Sequence, residues 1–269
     1  MERALSDSRF DYYTARLHGE DSRFAYIFRL HAGDESWYLC EEGLSRTFRF
    51  SLGYFNYFQY PYIHGSEVLR VREWVRGAVC YQVFPDRFRI GSGKADRSYI
   101  NLPWGEKPTP GSFAGGDLDG VREGLPYLKE LGVSLLYLTP VFRSRSNHKY
   151  DVEDYYEVDA CFGGNEALRA LVKAAHAAGI RVMLDGVFNH CSNENAIFQD
   201  VIRRGRRSPY YGWFYVDGDA ACVERRNYLT FADVPYMPKL NTENDAVIDY
   251  FCQVGTHWVT EYGIDGWRL

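Results

Sequence analysis

The feature that most constrains the fold is an alternation, after about residue 75, between short apolar runs and longer segments with helical periodicity. The apolar runs cover residues 78–84, 133–138, 180–187 and 266–269. Runs of this length bounded by turn residues are typical of buried parallel strands. Strands that alternate with helices predict βαβ units and a parallel sheet.

Three helices are predicted between these strands, because apolar residues recur there at intervals of three and four. Those residues are Val121, Leu125, Leu128 and Leu131 in the first helix, Leu168, Leu171, Val172 and Ala175 in the second, and Val247, Tyr250, Phe251, Val254 and Trp258 in the third. Asn165 is the predicted N-cap of the second helix, and Gly179 is its predicted end. About 55 residues between the third strand and the third helix show no clear period and are predicted to be irregular.

Two architectures fit four strands and three helices: a doubly wound sheet and half of an eight-stranded barrel. The loop after the first strand has no glycine-rich nucleotide signature, which weakens the doubly wound alternative. Polar residues at the strand ends and the long insertion after the third strand favour a barrel, whose βα loops build the active site. Residues 75–269 are therefore predicted to form the N-terminal half of a (β/α)8 TIM barrel, with an inserted subdomain at about 188–240.

The first 74 residues have a different pattern and predict a partial antiparallel β-sandwich domain. Phe24, Tyr26, Phe28 and Leu30 alternate as if on one face of a strand, and further strands are predicted at 38–40, 47–52 and 68–71. Turn residues at 33–34 and 42–43 separate them. The aromatic segment 54–62 is either a packing face or part of a surface for a partner or glycan.

Composition excludes several classes of function. The net charge of −5 and a single short arginine cluster at 203–207 give no basic footprint for nucleic acid, so the cluster is interpreted as a solvated helix or loop. No stretch approaches a membrane span. Six widely spaced cysteines without a CxxC pair argue against structural zinc, and with no apolar leader at the N-terminus they predict a cytoplasmic protein. An aromatic share of 17% hints at carbohydrate.

Polar side chains follow each predicted strand. They are Asp86 after the first, residues 146–151 after the second, Asp185, Asn189 and His190 after the third, and Arg268 in the fourth. Since the carboxyl ends of parallel strands share one rim, these side chains are expected to converge. Asp86 is expected to tie down the first loop rather than to touch a substrate.

Six segments, in order, resemble the α-amylase family of glycoside hydrolases. The segments at 185–190 (DGVFNH) and 266–269 (GWRL) resemble the family's boxes at the third and fourth barrel strands. The segment at 237–241 (MPKLN) resembles a motif of the cyclomaltodextrinase, neopullulanase and maltogenic amylase branch. Segments at 81–88, 113–118 and 146–151 agree with that branch, and the first 74 residues resemble the later part of its N-terminal β-domain.

The resemblance implies retaining hydrolysis of α-1,4 bonds in cyclodextrins, pullulan or maltodextrins. One carboxylate attacks the anomeric carbon, while a carboxylic acid protonates the leaving oxygen. The family's nucleophile would come directly after Leu269, so no catalytic carboxylate is expected in this chain, which should be inactive alone as a truncated member. The alternative is a non-catalytic glucan-binding protein or a pseudogene product. A half barrel has open sheet edges and is expected to be poorly soluble.

The resemblance also implies which residues bind the sugar. Tyr150 would stack under it, His190 would bind its 6-hydroxyl, and Arg268 would keep the nucleophile ionised. Asp185 would brace Arg268 or the sugar, and His148 and Asn147 would flank the same subsite.

Cofactor and partner expectations follow from the same resemblance. No cofactor is required; calcium is possible at Gly115 and Asp117, although Lys94 departs from the acidic pattern of the other half of that site. The expected partners are an α-glucan or cyclodextrin substrate and, in the parent enzyme, a second copy that forms a homodimer.

Overall fold

The computed structural model describes residues 1–18, 24–50, 56–60, 71–103 and 105–269. The chain divides into two compact units, Met1–Glu73 and Trp74–Leu269. Within the described ranges, no helix is both long enough and apolar enough to span a membrane.

The first unit is built from antiparallel strands in three small sheets. The strands are β1 (Glu2–Ser6), β2 (Asp11–Thr14), β3 (Phe24–Tyr26), β4 (Phe28–Ala32), β5 (Glu35–Cys40), β6 (Gly43–Ser45) and β7 (Phe58–Tyr60). β1 pairs with β2, β3 with β7, and β5 lies between β4 and β6. Tight turns at the predicted glycines join β4 to β5 and β5 to β6; Gly33 has φ +60° and Gly43 has φ +109°.

Two strand predictions in this unit need correction. The single strand expected over Phe24 to Leu30 is two strands, because β3 pairs with β7 while β4 pairs with β5, so the chain changes partner at Ile27. Residues 47–50, expected to be extended strand, have no strand partner among the described residues. The remainder of that segment, residues 68–70 of another predicted strand, and much of the aromatic segment 54–62 lie outside the described residues.

The second unit is organised around a four-stranded parallel sheet. Its strands are β8 (Cys80–Val83), β9 (Leu135–Leu138), β12 (Arg181–Asp185) and β13 (Gly266–Arg268), in the order β13-β12-β9-β8. A short antiparallel pair, β10 (Phe142–Arg143) and β11 (Asp154–Val158), follows β9. The predicted parallel sheet is confirmed.

Helices connect these strands. They are α1 (Pro85–Phe88), α2 (Leu118–Glu123), α3 (Leu125–Glu130), α4 (Gly164–Ala177), α5 (Ala196–Arg204) and α6 (Asp245–Tyr262). The core lies between them and the sheet, with Leu136, Leu168, Val182 and Trp258 fully buried. Helix α6 is anchored there by Trp258, whose Nε1 donates to the carbonyl of Tyr155 at 2.8 Å.

The structure corrects three details of this half of the chain. The first predicted helix is two helices, α2 and α3, because Pro126 in the first turn of α3 cannot donate a backbone hydrogen bond. Asn165 does not cap α4 but lies inside it, where its Oδ1 accepts from the Val158 amide at 2.7 Å. The first strand is not fully buried: Cys80, Tyr81 and Gln82 are exposed, since β8 is an edge of the described sheet.

The long insertion is more regular than its sequence suggested. Helix α5 is capped by Asn195, whose side chain accepts a hydrogen bond from the Ile197 amide, and the helix buries Phe198 and Val201. Short 3-10 helices at Gly205–Arg207, Tyr211–Trp213 and Phe231–Asp233 complete it. The arginines at 203–207 are exposed, as expected.

Candidate active site

The four parallel strands end at the same level, which brings their polar residues together. Across neighbouring strands Val83 is opposite Leu138, Leu138 is opposite Leu184, and Asp185 is opposite Arg268. The loops that follow therefore all leave from one rim of the sheet.

Asp185 is the centre of this rim. It is only 2% exposed, and its Oδ2 accepts hydrogen bonds from the hydroxyls of Tyr150, at 3.1 Å, and Tyr137. Burial and, to a smaller extent, the nearby Asp185 carboxylate raise the pKa of Tyr150, so its hydroxyl stays protonated and remains a hydrogen-bond donor. Two phenols thus hold the carboxylate and fix the position of the Tyr150 ring.

The loop before Tyr150 is held by a buried lysine. Lys149 has φ +59°, an unfavourable conformation for a long side chain, and is 2% exposed. Its Nζ donates to Ser144 O at 2.9 Å and to Asp159 Oδ2 at 2.7 Å. These bonds offset the strained backbone and present Tyr150 at the rim.

His190 is fixed through its backbone and leaves one ring nitrogen uncommitted. Tyr155 donates its hydroxyl to the carbonyl of Val187 at 2.9 Å and to that of His190 at 2.8 Å. The side chain is buried, and its Nε2 makes no hydrogen bond of normal geometry among the described residues. A buried, unpaired nitrogen of this kind is available to a bound hydroxyl group.

Burial also sets the charge of this ring. Desolvation lowers the pKa of His190, against the opposing effects of the Tyr150 backbone and the Asp151 carboxylate. A neutral imidazole can accept a hydrogen bond at one nitrogen and donate at the other.

The insertion supplies the opposite wall of the site. Lys239 forms an antiparallel bridge with His190, and the Leu240 amide donates to Asn189 O at 2.9 Å. Two of the sequence boxes, 185–190 and 237–241, therefore meet in space.

Phe231, which the sequence did not single out, stacks on the imidazole of His190 at 4.5 Å with an interplanar angle of 14°. It remains 47% exposed, so one face of its ring is open. The next two residues, Ala232 and Asp233, have φ +49° and +57°. Phe231 lies in a segment with no periodicity, and its only sequence signal is its nearness to the box at 237–241.

These groups enclose a cavity of about 690 Å³. Its lining includes Tyr150, Asp185, His190 and Arg268 together with Asn189, Phe231 and Lys239. It combines aromatic faces with several hydrogen-bonding groups, as sites for polyhydroxylated ligands require. The structure thus brings four of the six predicted sugar-binding residues to one cavity.

The other two lie next to it. His148 Nδ1 accepts from the Tyr150 amide at 3.1 Å, and its ring centroid is 5.9 Å from that of Tyr150. Burial lowers the pKa of His148. Asn147 donates its amide to Pro110 O at 2.9 Å and Ser112 O at 2.6 Å. Neither lines the cavity, and a sugar contact for either stays a prediction.

The loop after β8 is tied down by carboxylates. Asp86 accepts from the amides of Ala114 and Gly115, both at 3.0 Å, which confirms its expected role. Asp117 caps α2 by accepting from Gly120 N at 2.7 Å, and the same oxygen accepts from Gly91 N at 3.0 Å. Gly115 is closely packed, since a Cβ there would lie 2.2 Å from Ile100.

The family model for the α-amylase catalytic domain matches residues 82–269. The chain belongs to the α-amylase family. The model for the family's N-terminal Ig-like domain matches residues 1–64. Both halves of the resemblance seen in the sequence are therefore confirmed, and the parallel sheet with its rim belongs to this family's catalytic domain.

Relatives place the chain in one branch of the α-amylase family. A cyclomaltodextrinase of Geobacillus thermopakistaniensis is 45% identical over 271 residues, covering 100% of this chain and 46% of the relative. Neopullulanase 2 of Thermoactinomyces vulgaris is 46% identical, covering 99% of this chain and 46% of the relative. A solved structure of a cyclomaltodextrinase is 39% identical, with a TM-score of 0.75 over 100% of this chain and 46% of its own. The chain thus spans about half the length of these relatives.

Proposed function

We propose that this chain forms the sugar-binding part of an α-glucan hydrolase of the cyclomaltodextrinase type. The observation that carries the proposal is the cavity of about 690 Å³ in which Tyr150, His190, Asp185 and Arg268 meet. The names of the relatives, cyclomaltodextrinase and neopullulanase, suggest cyclodextrins and pullulan as substrates, and the sequence resemblance adds short maltodextrins.

In this proposal each residue of the cavity has a role in holding glucose. Tyr150 stacks on the apolar face of the sugar ring, because its phenol is fixed by Asp185. The unpaired Nε2 of His190 binds a hydroxyl of the same sugar. Phe231 covers His190 and offers its open face to a neighbouring sugar unit.

The chemical step requires carboxylates that are not among these residues. In the retaining mechanism a carboxylate nucleophile forms a glycosyl-enzyme intermediate, and a second carboxyl group acts as acid and then as base. From the resemblance, we expect the nucleophile to come directly after Leu269, at the end of β13. Arg268 would lie beside it and keep it ionised. The 269 residues alone are accordingly proposed to bind glucan without cleaving it, and the full eight-stranded barrel to carry the activity.

Binding of maltotriose and of β-cyclodextrin to the chain tests this proposal. We expect saturable binding by calorimetry, no sugar release, and roughly tenfold weaker affinity for Tyr150→Ala, equivalent to about 1.4 kcal/mol. Tyr127→Ala is the matched control, because Tyr127 is exposed on α3 and is not in the cavity lining. Equal binding by both variants, or no binding by the parent chain, contradicts the assignment of the cavity.

A second candidate, a glucan-binding protein without catalytic activity, is supported by the same cavity. The codon that follows Leu269 in the gene separates the two. An aspartate codon in an open reading frame favours the enzyme, and replacing that aspartate by asparagine should then leave glucan binding intact but abolish glucan cleavage. A stop codon favours the binding protein. For either candidate, the six free cysteines support a cytoplasmic location. We also propose that the full-length enzyme forms a homodimer.

A further inference from the structure

A buried lysine occupies the loop where the family resemblance would put a calcium ion. The predicted calcium ligands come from Gly115, Asp117 and the loop at 91–96. In the structure, Lys94 from that loop extends its ammonium group to Asp117, with Nζ 3.1 Å from Oδ2. Both side chains are nearly buried, at 7% and 6% exposure.

The ammonium group has a complete set of ligands. Besides Asp117 it donates to the carbonyl of Cys161 at 2.6 Å, and it lies 5.3 Å from the centre of the Tyr99 ring. Tyr99 in turn donates its hydroxyl to the same Cys161 carbonyl at 3.3 Å. A lysine ammonium has three donors, and a carboxylate, a carbonyl and an aromatic face satisfy them.

Lys94 joins three separate segments of the chain. It comes from the loop after α1, Asp117 is the N-cap of α2, and Cys161 belongs to the 3-10 helix Ala160–Phe162. The other oxygen of Asp117 is already committed to Gly91 N and Gly120 N. Joining distant loops through a buried positive charge is what a structural cation does in proteins.

The same residues do not suit calcium. Calcium takes six to eight oxygen ligands, whereas among the described residues the Lys94 ammonium donates to only two oxygens. A second cation at this position would face the ammonium at short range in a desolvated environment, which is strongly unfavourable. Within the described part of the chain, no group of three or more acidic, histidine or cysteine side chains is suited to a metal ion.

We propose that the ammonium of Lys94 replaces the structural cation of this loop, so that the fold carries its own positive charge and needs no calcium. The inference concerns the stability of the catalytic-domain scaffold and is independent of the proposed sugar binding. It also predicts that removing the lysine and adding an acid recreates a metal site.

Thermal melting of the full chain, with and without excess calcium chloride or EDTA, tests the first part. We expect the Tm of the parent chain to be the same in all three conditions, and equilibrium dialysis to show no bound calcium. A rise in Tm with calcium that EDTA reverses, together with calcium bound at dialysis, would overturn the proposal. This measurement uses the unaltered protein, so it decides the question even where a variant fails to fold.

Two substitutions test the second part. Lys94→Met removes the charge but keeps most of the aliphatic stem; it should lower the Tm by roughly 5 °C or more, because Asp117 is left with an unpaired buried charge. Lys94→Asp adds carboxylate oxygens and should melt at a higher temperature in calcium than in EDTA. Lys129→Met and Lys129→Asp are the controls, since Lys129 is exposed on α3. An unchanged Tm for Lys94→Met would refute the proposal. So would a folded Lys94→Asp chain whose Tm is the same in calcium and in EDTA.

Discussion

At the scale of single residues, the site is defined by side chains whose polar groups are buried and only partly satisfied. Asp185 receives two phenol hydroxyls, whereas His190 keeps one nitrogen unpaired. The first arrangement fixes geometry, and the second leaves binding capacity in the cavity. The difference explains why Asp185, the last residue of β12, and His190, five positions later in the loop that follows, have different tasks.

His190 should make the stability of the chain depend on pH. Its pKa is lowered in the folded state by burial, so the unfolded chain takes up a proton at a higher pH than the folded chain does. The contribution of neutral His190 is therefore complete above about pH 6.5 and is lost as the pH falls towards the folded pKa. We expect Tm to fall less steeply between about pH 7 and pH 5 in His190→Asn than in the parent chain.

The control for this measurement is His18→Asn, because His18 is an exposed histidine in the first unit. This variant should follow the parent chain across the whole range. A His190→Asn chain whose Tm falls as steeply as that of the parent would show that His190 is not held neutral by burial.

Residue patterns predicted part of the site and missed another part. Asp185 and Arg268 were expected to lie together because parallel strands end at one level, and the register places them opposite each other. Phe231 was not predicted, since it lies in the insertion, where neither period 2 nor period 3.6 indicates which way a side chain points. Its position depends on the pairing of residues 237–241 with 189–191, a contact between segments that are distant in sequence.

At the scale of elements, periodicity identified the four parallel strands and the helices between them but not the ends of these elements, and it missed β10, β11 and α5. The helix expected from Val121 to Leu131 is broken at Gly124, because Pro126 removes a backbone donor. Asn165 was expected to cap α4, yet Gly163, with φ +96°, makes the turn that begins the helix. Local turn geometry decided both boundaries, and the apolar spacing carries no information about it.

Helix α6 provides the test of packing at this scale. Trp258 is fully buried, and its Nε1 donates a hydrogen bond to Tyr155 O. The centre of its ring is 5.2 Å from that of Phe142 and 4.4 Å from that of Tyr262. Trp258→Ala should lower the free energy of unfolding by about 3–5 kcal/mol, measured by urea denaturation. Val259→Ala, one residue further along the same helix and 45% exposed, should change it by less than about 0.5 kcal/mol. Similar effects of the two substitutions would mean that α6 does not pack against the core through this face.

At the scale of the whole molecule, the two edges of the described parallel sheet determine how the chain behaves in solution. Among the residues that the structure describes, β8 pairs only with β9 and β13 only with β12, so each has an open side there. Apolar side chains are exposed at both edges: Val79 is 52% exposed and Leu269 is 80% exposed. Unpaired strand edges with apolar neighbours favour association between chains.

We therefore expect the isolated chain to self-associate as its concentration rises. Size-exclusion chromatography with light scattering measures this, and Val79→Lys should reduce the associated fraction because a charge at an edge opposes pairing. Val259→Lys introduces the same charge on a helix, away from the sheet, and should leave association unchanged. A chain that remains monomeric at all concentrations would show that the open edges of the sheet do not promote association.

Because the parallel strands end at a common level, insertions and deletions are restricted differently in different parts of the sequence during evolution. Asp185 faces Arg268 only because each strand between the helices has its present length. A single inserted or deleted codon within β12 would turn Asp185 to the other face of the sheet, whereas the same event in the insertion after β12 leaves the register untouched. Natural variation in length should accordingly accumulate between the strands, and the strands themselves should keep a constant residue count.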